Sequence, residues 1–183
     1  IAQQESASDK HPFVSIWMHV GSLTVDGKKM SKSLGNYISI NDFLKKYSPN
    51  VFRLLVLGFH YRTPLDYSDA LAESYAKNWR SIMEVIAKLR FIQTIHIKRI
   101  SGTLKTAGIT GFEHNFDAAL EDDFNTAKAL AALFTFINQL QPRIWELKPP
   151  EAKKVCEPII NALKKLGFVI EGAKIPTKIS AKA

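Results

Sequence analysis

Apolar residues recur at helical spacing over most of the second half of the chain. In the longest stretch the steps are four, four, three, four and three, and its members are Leu71, Tyr75, Trp79, Ile82, Ile86 and Leu89. This period predicts one helix, from Ser68 to about Thr94, that packs lengthwise against other helices. The hydroxyl of Ser68 is well placed to cap its first turn.

Two more helices are predicted further along the chain. The first has an apolar stripe that ends near Gln141 and consists of Leu130, Leu133, Phe134, Ile137 and Leu140. The second begins at Pro149-Pro150, and Gly167 is its predicted end. The polar, glycine-bearing stretch from Ser101 to Gly111 predicts a loop that separates the long helix from these two.

The first 67 residues mix strand and helix signals. β-Branched and aromatic residues from Phe13 to Val20 predict a buried strand, and Leu23 to Val25 predict a second, shorter one. Asp26-Gly27 then predicts a tight turn. Helices are predicted to start after Ser39 and after Ser48-Pro49, where a serine side chain can cap each one.

These patterns together predict an α/β N-terminal part followed by an all-α helical bundle, with α-helix dominant overall. We expect three segments: residues 1–67, the bundle at residues 68–172, and a flexible basic tail at residues 173–183. Ile1 to Ala7 has the character of a helix already under way. We therefore expect the chain to be a piece of a longer protein.

Composition narrows the class of protein. Of the 183 residues 46% are hydrophobic and 23% charged, a globular mix that excludes a disordered chain. No apolar run approaches the ~18 residues that cross a bilayer, and no secretion signal is predicted. The single cysteine, Cys156, forms no intrachain disulfide, and the histidines lack metal-ligand spacing. We expect a cytoplasmic, monomeric protein with no membrane partner and no metal site in this chain.

Positive charge is concentrated in one stretch. The formal net charge is +8, and between Val20 and Leu65 lysines and arginines far outnumber the two aspartates. Such a stretch suits a phosphate-bearing ligand, although on charge alone a solvated lysine face is the better interpretation.

The segment from Val25 to Asn36 carries the most specific chemistry. It follows a predicted strand and contains three lysines, two serines and two glycines. Lysine ammonium groups, serine hydroxyls and backbone N–H groups are donors that can stabilise negative charge on a leaving pyrophosphate. The segment is not a P-loop, because it lacks the spacing of glycines ahead of a Lys-Ser/Thr pair.

Lys29-Met30-Ser31-Lys32-Ser33 matches the KMSKS motif of class I aminoacyl-tRNA synthetases letter for letter. The surroundings resemble the cysteinyl-tRNA synthetases: Trp17-Met18-His19, Leu34-Gly35-Asn36, His60 to Ser68 and Asp122 to Ala127. The resemblance runs from Ile1 to about Leu140. It implies that residues 1–67 are the end of a Rossmann-like class I catalytic domain and that a DALR-like, tRNA-contacting bundle follows.

The resemblance also implies a reaction. Such enzymes use ATP with Mg²⁺ to activate cysteine as cysteinyl adenylate, and then transfer cysteine to tRNA(Cys). Lys29 and Lys32 are the expected catalytic residues: the resemblance implies that Lys32 contacts ATP directly and that Lys29 helps to hold the polyphosphate as the loop closes. Met30, Ser31 and Ser33 complete the expected ATP-binding loop.

Other polar residues keep two interpretations. Trp17 and His19 face the same side of the predicted strand, and a substrate pocket and a core position are equally supported for them. Asp122 and Asp123 resemble paired catalytic carboxylates, but a role at a helix start is better supported. The basic residues of the long helix either contact tRNA phosphates or are solvated: Lys77, Arg80, Lys88 and Arg90.

The chain also departs from the family pattern. The family's histidine-containing ATP motif and its zinc ligands do not occur in this sequence, although zinc is expected in the full-length family enzyme. We therefore expect this chain alone to be inactive. Two alternatives stay open: a paralogue that ligates cysteine to a small amine, and a non-catalytic RNA-binding fragment. The intact lysine–serine loop speaks against the second.

Overall fold

A computed structural model of the chain describes residues 2–31, 33–95 and 107–170. Three short strands are present: β1 (Leu23–Val25), β2 (Lys28–Lys29) and β3 (Leu65–Tyr67). The described α-helices are α1 (Ala2–Ser8), α2 (Ile40–Lys46), α3 (Pro49–Leu57), α4 (Asp69–Thr94), α5 (Ala107–Glu121), α6 (Thr126–Leu140) and α7 (Pro149–Lys165), with a 3-10 helix at Gln141–Glu146. The predicted fold class, a small α/β part followed by a helical bundle, is confirmed.

Short polar side chains begin four of these helices. Ser39, Ser48, Ser68 and Asn125 each accept a hydrogen bond from a backbone N–H in the first turn of α2, α3, α4 and α6, respectively. A cap of this kind satisfies one of the N–H groups that the helix leaves without a partner. The predicted starts of α2, α3 and α4 are therefore confirmed by the contacts on which they were based.

The strands form one small sheet in the order β2-β1-β3. β1 pairs antiparallel with β2 and parallel with β3. The strand predicted at Phe13 to Val20 is wrong: no strand is assigned there, and Ile16 and Val20 are 85% and 73% exposed. Among the described residues β1 has β2 and β3 on its two edges, and this apolar segment pairs with none of the three strands.

The helical bundle has one continuous apolar core. It is built mainly from α4 to α7 and the 3-10 helix, with Leu54 of α3, and its largest fully buried side chains include Ile82, Phe116, Leu133, Ile137 and Leu163. α7 continues through Pro158, and Gly167 adopts φ +77° just beyond its end, as predicted. The bundle therefore needs no contribution from the sheet to exclude water from its interior.

The loop predicted between Ser101 and Gly111 is wrong over its last five residues, because α5 begins at Ala107; residues 101–106 lie outside the described ranges. The helix forms because Phe112, Phe116 and Ala119 make an apolar stripe that is buried in the bundle. The Phe112 and Phe136 rings stack with centroids 4.8 Å apart. This burial offsets the helix cost of Gly108 and Gly111, which is about 1 kcal/mol each.

A second, smaller core lies between the sheet and the helices. Its buried members are Val25, Phe43, Val51, Leu55, Tyr67, Ala72 and Ala76. Two of them belong to the first turns of α4, and Tyr75 and Trp79 of the same helix contact both cores. α4 thus joins the α/β part to the bundle, and the division at residue 67 stays a prediction.

Two features of the composition can be located in the fold. Cys156 is a free, buried thiol on α7, and burial raises its pKa. None of the helices in the described ranges combines the length and apolar character needed to cross a membrane. The basic tail predicted at residues 173–183 lies outside the described residues.

Candidate functional site

The lysine–serine loop begins on a β-hairpin. β1 and β2 are joined by Asp26-Gly27, and both turn residues have positive φ, +49° and +72°. Two consecutive positive φ angles match the type I′ turn, whose twist suits two antiparallel strands. The hairpin therefore presents Lys28 and Lys29 on its outer strand, where both side chains are exposed.

Asp66 ties this hairpin to the rest of the sheet. Its Oδ1 accepts hydrogen bonds from the Thr24 hydroxyl at 2.6 Å and from the Gly27 N–H at 2.9 Å. The Thr24 hydroxyl and then the Gly27 N–H lower the pKa of Asp66. One carboxylate on β3 thus holds both β1 and the turn that leads into the loop.

Asn36 closes the loop at its other end. Its Oδ1 accepts the Ser31 N–H at 2.9 Å, and its Nδ2 donates to the Lys29 carbonyl at 3.2 Å. The Ser31 hydroxyl lies 3.1 Å from the Ser33 hydroxyl and accepts a longer bond, 3.3 Å, from the Leu34 N–H. The loop is therefore organised by its own side chains.

The expected ATP-binding residues occupy different environments. Lys29 and Ser33 are exposed, Ser31 is half-buried, and Lys32 lies outside the described residues. Met30 contacts the smaller core and lines an apolar groove of about 320 Å³ with Tyr37 and Phe43. Met30 thus anchors the loop by packing, while Lys29 before it is exposed.

Trp17 and His19 lie close to each other but not in the loop. Their rings are stacked with centroids 6.3 Å apart, and the Trp17 side chain is exposed. No hydrogen bond or ring contact joins either residue to residues 28–31 or 33–36 in the described part of the chain. The core interpretation of Trp17 is wrong, because it is not buried here, and the substrate-pocket role stays a prediction.

A second groove, of about 400 Å³, lies beside the first. It is lined by Met18, Val20, Phe59, His60 and Phe124 among others, and it shares Leu23, Val56 and Leu65 with the first groove. Gly21 lies at its edge, where its N–H donates to the Tyr61 carbonyl at 2.7 Å. The described residues therefore leave a continuous apolar surface open on this side of the sheet.

Asp123 connects the bundle to this surface. Its carboxylate accepts hydrogen bonds from the Tyr61 hydroxyl at 2.6 Å and from Arg62 Nε and Nη2 at 2.7 and 3.1 Å. The Arg62 guanidinium and the Tyr61 hydroxyl lower the pKa of Asp123 to about 2. A single residue at the turn between α5 and α6 thus holds the segment that precedes β3.

Asp123 also sits in an unusual backbone conformation. Asp123 and Phe124 have φ of +53° and +52°, and Phe124 is 65% exposed. A left-handed conformation is tolerated by Asp but unfavourable for a bulky residue. Among the described residues, the Asp123 carboxylate contacts His60, Tyr61 and Arg62 and no second carboxylate. Asp122 and Asp123 therefore do not form a catalytic pair.

Sequence reasoning missed the roles of Asn36, Asp66 and Asp123. Asn36 follows Gly35 just past the loop, a position where asparagine commonly bonds to nearby backbone, so a local signal was available for it. Asp66 and Gly27 are 39 residues apart, and Tyr61 and Asp123 are 62 apart. No local pattern predicts contacts over such separations.

Comparison with known families places both parts of the chain. Residues 1–77 match the family described as tRNA synthetases class I (C) catalytic domain, and residues 115–170 match the DALR domain. A LeuRS from Agrobacterium radiobacter, solved in a ternary complex with tRNA and LeuAMS, has a similar fold. Its TM-score is 0.64 at 16% identity, over 84% of this chain and 22% of that one.

Curated relatives carry one shared name. A cysteine–tRNA ligase from Persephonella marina is 42% identical and covers 76% of this chain, and one from Aquifex aeolicus is 35% identical and covers 93%. The alignments cover 28% and 37% of those two proteins, so the chain spans about a third of its relatives' length. With a class I catalytic-domain match before a DALR match, the chain belongs to the cysteine–tRNA ligase family of class I aminoacyl-tRNA synthetases.

Proposed function

We propose that this chain supplies the polyphosphate-holding loop and the RNA-contacting bundle of an enzyme that ligates cysteine to tRNA(Cys) with ATP. The observation that carries the proposal is the complete Lys29–Ser33 motif on a hairpin that Asp66 ties and Asn36 closes. The relatives' name, cysteine–tRNA ligase, supports the choice of amino acid and acceptor.

The proposed first step is cysteine activation. A carboxylate oxygen of cysteine attacks the α-phosphorus of ATP, a new O–P bond forms, and the bond to the β-phosphate breaks with release of pyrophosphate. Negative charge accumulates on the leaving group, so donors placed around it stabilise the transition state. Lys29, which is exposed at the start of the loop, and Lys32 are proposed to supply that stabilisation.

The proposed second step passes cysteine to the terminal adenosine of tRNA. A ribose hydroxyl attacks the adenylate carbonyl, and AMP leaves. Trp17 and His19 are proposed to lie at the substrate pocket, since both are exposed beside the apolar surface. A cytoplasmic location and a monomeric state belong to the same proposal.

The zinc expected in this family has no ligand set in the described residues. No three His, Cys, Asp or Glu side chains there converge on one point, and Cys156 is buried in the bundle. The residues present do not fit a zinc site. No step is therefore assigned to a metal held by this part of the chain, and Mg²⁺ is proposed only as the ion that accompanies ATP.

The bundle's part in tRNA binding is proposed on charge. Lys77 on α4 is exposed, whereas Arg80 lies 3.5 Å from Glu73 and Lys88 lies 2.7 Å from Glu84. Those ion pairs have to compete with phosphate for the same cations. If these cations contact tRNA phosphates, binding by the chain should weaken steeply with added salt, because each phosphate contact releases counterions. Binding of tRNA that does not change with salt would contradict contact with phosphates.

The activation step can be tested in a chimaera. Residues 1–183 replace the matching segment of the Aquifex aeolicus relative, and cysteine-dependent ATP–pyrophosphate exchange is measured. Lys29→Ala and Lys32→Ala should each slow exchange by about 10²–10³, the effect of losing one transition-state donor. Lys45→Ala is the matched control, because Lys45 is an exposed lysine of the next helix that pairs with Asp42.

The outcomes separate the alternatives. Exchange at the wild-type rate in both loop variants would overturn the role of the loop. Exchange without transfer of cysteine to tRNA would favour a small amine as acceptor. Residues 1–183 assayed alone are expected to show no pyrophosphate exchange. Clear activity there would contradict the proposal that this chain supplies only part of the active site of a longer enzyme.

A further inference from the structure

Asn36 makes a contact that no other residue described in the loop makes. Its carboxamide joins the two ends of the loop, since Oδ1 binds the Ser31 N–H and Nδ2 binds the Lys29 carbonyl. These bonds span five and seven residues, so the side chain closes a ring of backbone from β2 to the end of the loop. Both functional groups of the carboxamide are used.

The remaining polar contacts in the loop are of another kind. They involve the Ser31 and Ser33 hydroxyls and the Leu34 N–H, which lie within three residues of one another. They shape the tip but do not fix it to the hairpin. Met30 packs into the groove beneath, which restrains the loop without orienting its backbone. Lys29 is already fixed in the hairpin by its pairing with Thr24. The orientation of Ser31 relative to the hairpin therefore depends on Asn36.

We propose that Asn36 is a positioning residue, which ties the Ser31 backbone to Lys29 on the hairpin so that the loop's donors are pre-organised for the polyphosphate. This rests on the function proposed above, and Asn36 acts through the loop without touching substrate. Preorganised donors stabilise a transition state without paying reorganisation at the moment of reaction. Releasing the carboxamide should therefore slow the chemical step more than it weakens binding of cysteine.

The chemistry of the contact selects asparagine. Aspartate can still accept the Ser31 N–H but cannot donate to the Lys29 carbonyl, and it would place negative charge beside that oxygen. Glutamine has the same groups on a longer stem, which displaces both of them from their partners. Alanine removes both bonds.

The contact itself can be tested in residues 1–183 by amide hydrogen exchange. Asn36→Ala should speed exchange of the Ser31 amide by about fivefold, the effect of losing one hydrogen bond, while the urea midpoint stays unchanged. In Asn36→Asp, which keeps the acceptor oxygen, the Ser31 amide should exchange at a rate between those in Asn36→Ala and in wild type. Unchanged Ser31 exchange in Asn36→Ala would overturn the proposal.

Asn50 offers a matched control. It makes the same kind of two-sided contact on α3, donating to the Val169 carbonyl at 2.7 Å and accepting the Val169 N–H at 3.3 Å. Asn50→Ala should speed exchange at Val169 and leave Ser31 as in wild type. A change at Ser31 in this variant would mean that the probe reports general loosening, which would contradict a specific role for Asn36.

The positioning role is tested in the chimaera described above. Asn36→Ala should lower kcat for pyrophosphate exchange by about tenfold, with the KM for cysteine unchanged, and Asn36→Asp should not restore kcat. An active chimaera in which Asn36→Ala keeps its kcat would overturn the role even if Ser31 exchange changes. A folded but inactive wild-type chimaera would count against the proposed function instead, and the exchange data would still decide whether Asn36 holds the loop.

Discussion

The loop region and the helical bundle are held together by different physics. In residues 23–36 the decisive contacts are hydrogen bonds made by two exposed or half-buried side chains, Asp66 and Asn36. In the bundle the decisive contacts are apolar, and residues such as Ile82, Leu133 and Leu163 are fully buried. One region depends on a few polar contacts, and the other on many packed ones.

That difference matters for how each region responds to change. One intramolecular hydrogen bond makes a net contribution of only about 0.5–1.5 kcal/mol to stability, so opening the loop costs little free energy. Burial of apolar side chains excludes water from the whole bundle at once, and losing one of them disturbs its neighbours. The loop should therefore open locally while the bundle stays folded, which suits a loop that follows phosphate groups during a reaction.

The bundle should show the largest effect when a buried side chain is truncated. Leu133→Ala leaves a cavity in the core and should lower the free energy of unfolding by about 2–5 kcal/mol, measured by urea denaturation. The matched control is Leu34→Ala in the loop, where the leucine is 63% exposed. That change should cost less than about 0.5 kcal/mol. Equal costs in the two variants would refute the contrast between the regions.

A smaller effect is expected just before β1, where two backbone segments pack closely. A Cβ at Gly21 would lie 2.2 Å from the Thr63 carbonyl oxygen, which is backbone and cannot turn away. Gly21→Ala should therefore destabilise the protein by about 1–3 kcal/mol, as overpacking does. Gly108→Ala is the control, since nothing lies within 4 Å there and the position is helical. It should stabilise the protein slightly. A neutral Gly21→Ala would show that the backbone can move apart.

The smallest effect concerns Asp123, which joins the two regions. Its folded-state pKa of about 2 lies below the value of about 3.9 for an unperturbed aspartate. Its ion pair with Arg62 therefore stabilises the fold fully above about pH 4, and that stabilisation is lost as the pH falls through about 2. The urea midpoint of Asp123→Asn should be lower than that of wild type at pH 7, and the two should converge by pH 2.

Asp122→Asn serves as the comparison for this prediction. Asp122 is the preceding residue and pairs with one exposed lysine, Lys128, at 3.3 Å. A single exposed pair contributes little to stability, whereas Asp123 accepts two bonds from Arg62 and one from Tyr61. The midpoint of Asp122→Asn should therefore change less than that of Asp123→Asn. A titration of the Asp123 carboxyl near pH 4 would contradict the assigned contact with Arg62.

The parts of the fold that local sequence signals specify were predictable. Ser39, Ser48 and Ser68 cap the helices that they were expected to cap, because a cap acts within three residues of itself. The long helix α4 was also predictable, because its apolar residues recur every three or four positions along the chain. By contrast α5 was missed, since Gly108 and Gly111 read as loop until the burial of Phe112 and Phe116 is known.

The candidate site was predictable only in part. The motif at Lys29–Ser33 could be recognised from its letters, but its placement depends on Asp66, a residue far away in the chain. The apolar run from Phe13 to Val20 has the composition of a strand and yet is exposed, because strand pairing requires a neighbour that composition does not supply. Contacts between distant segments are the information that the local pattern lacks.

Native-state hydrogen exchange at low urea concentrations is the direct test of whether the loop opens locally while the bundle stays folded. The rates of the Ser31 and Leu133 amides are followed in the same sample of residues 1–183 as urea is raised below the unfolding transition. We expect Ser31 exchange to stay independent of urea, because local opening exposes little surface, whereas Leu133 exchange should rise with the slope of global unfolding. A rise at Ser31 as steep as that at Leu133 would show that the loop opens only when the bundle unfolds, and would contradict local opening of the loop.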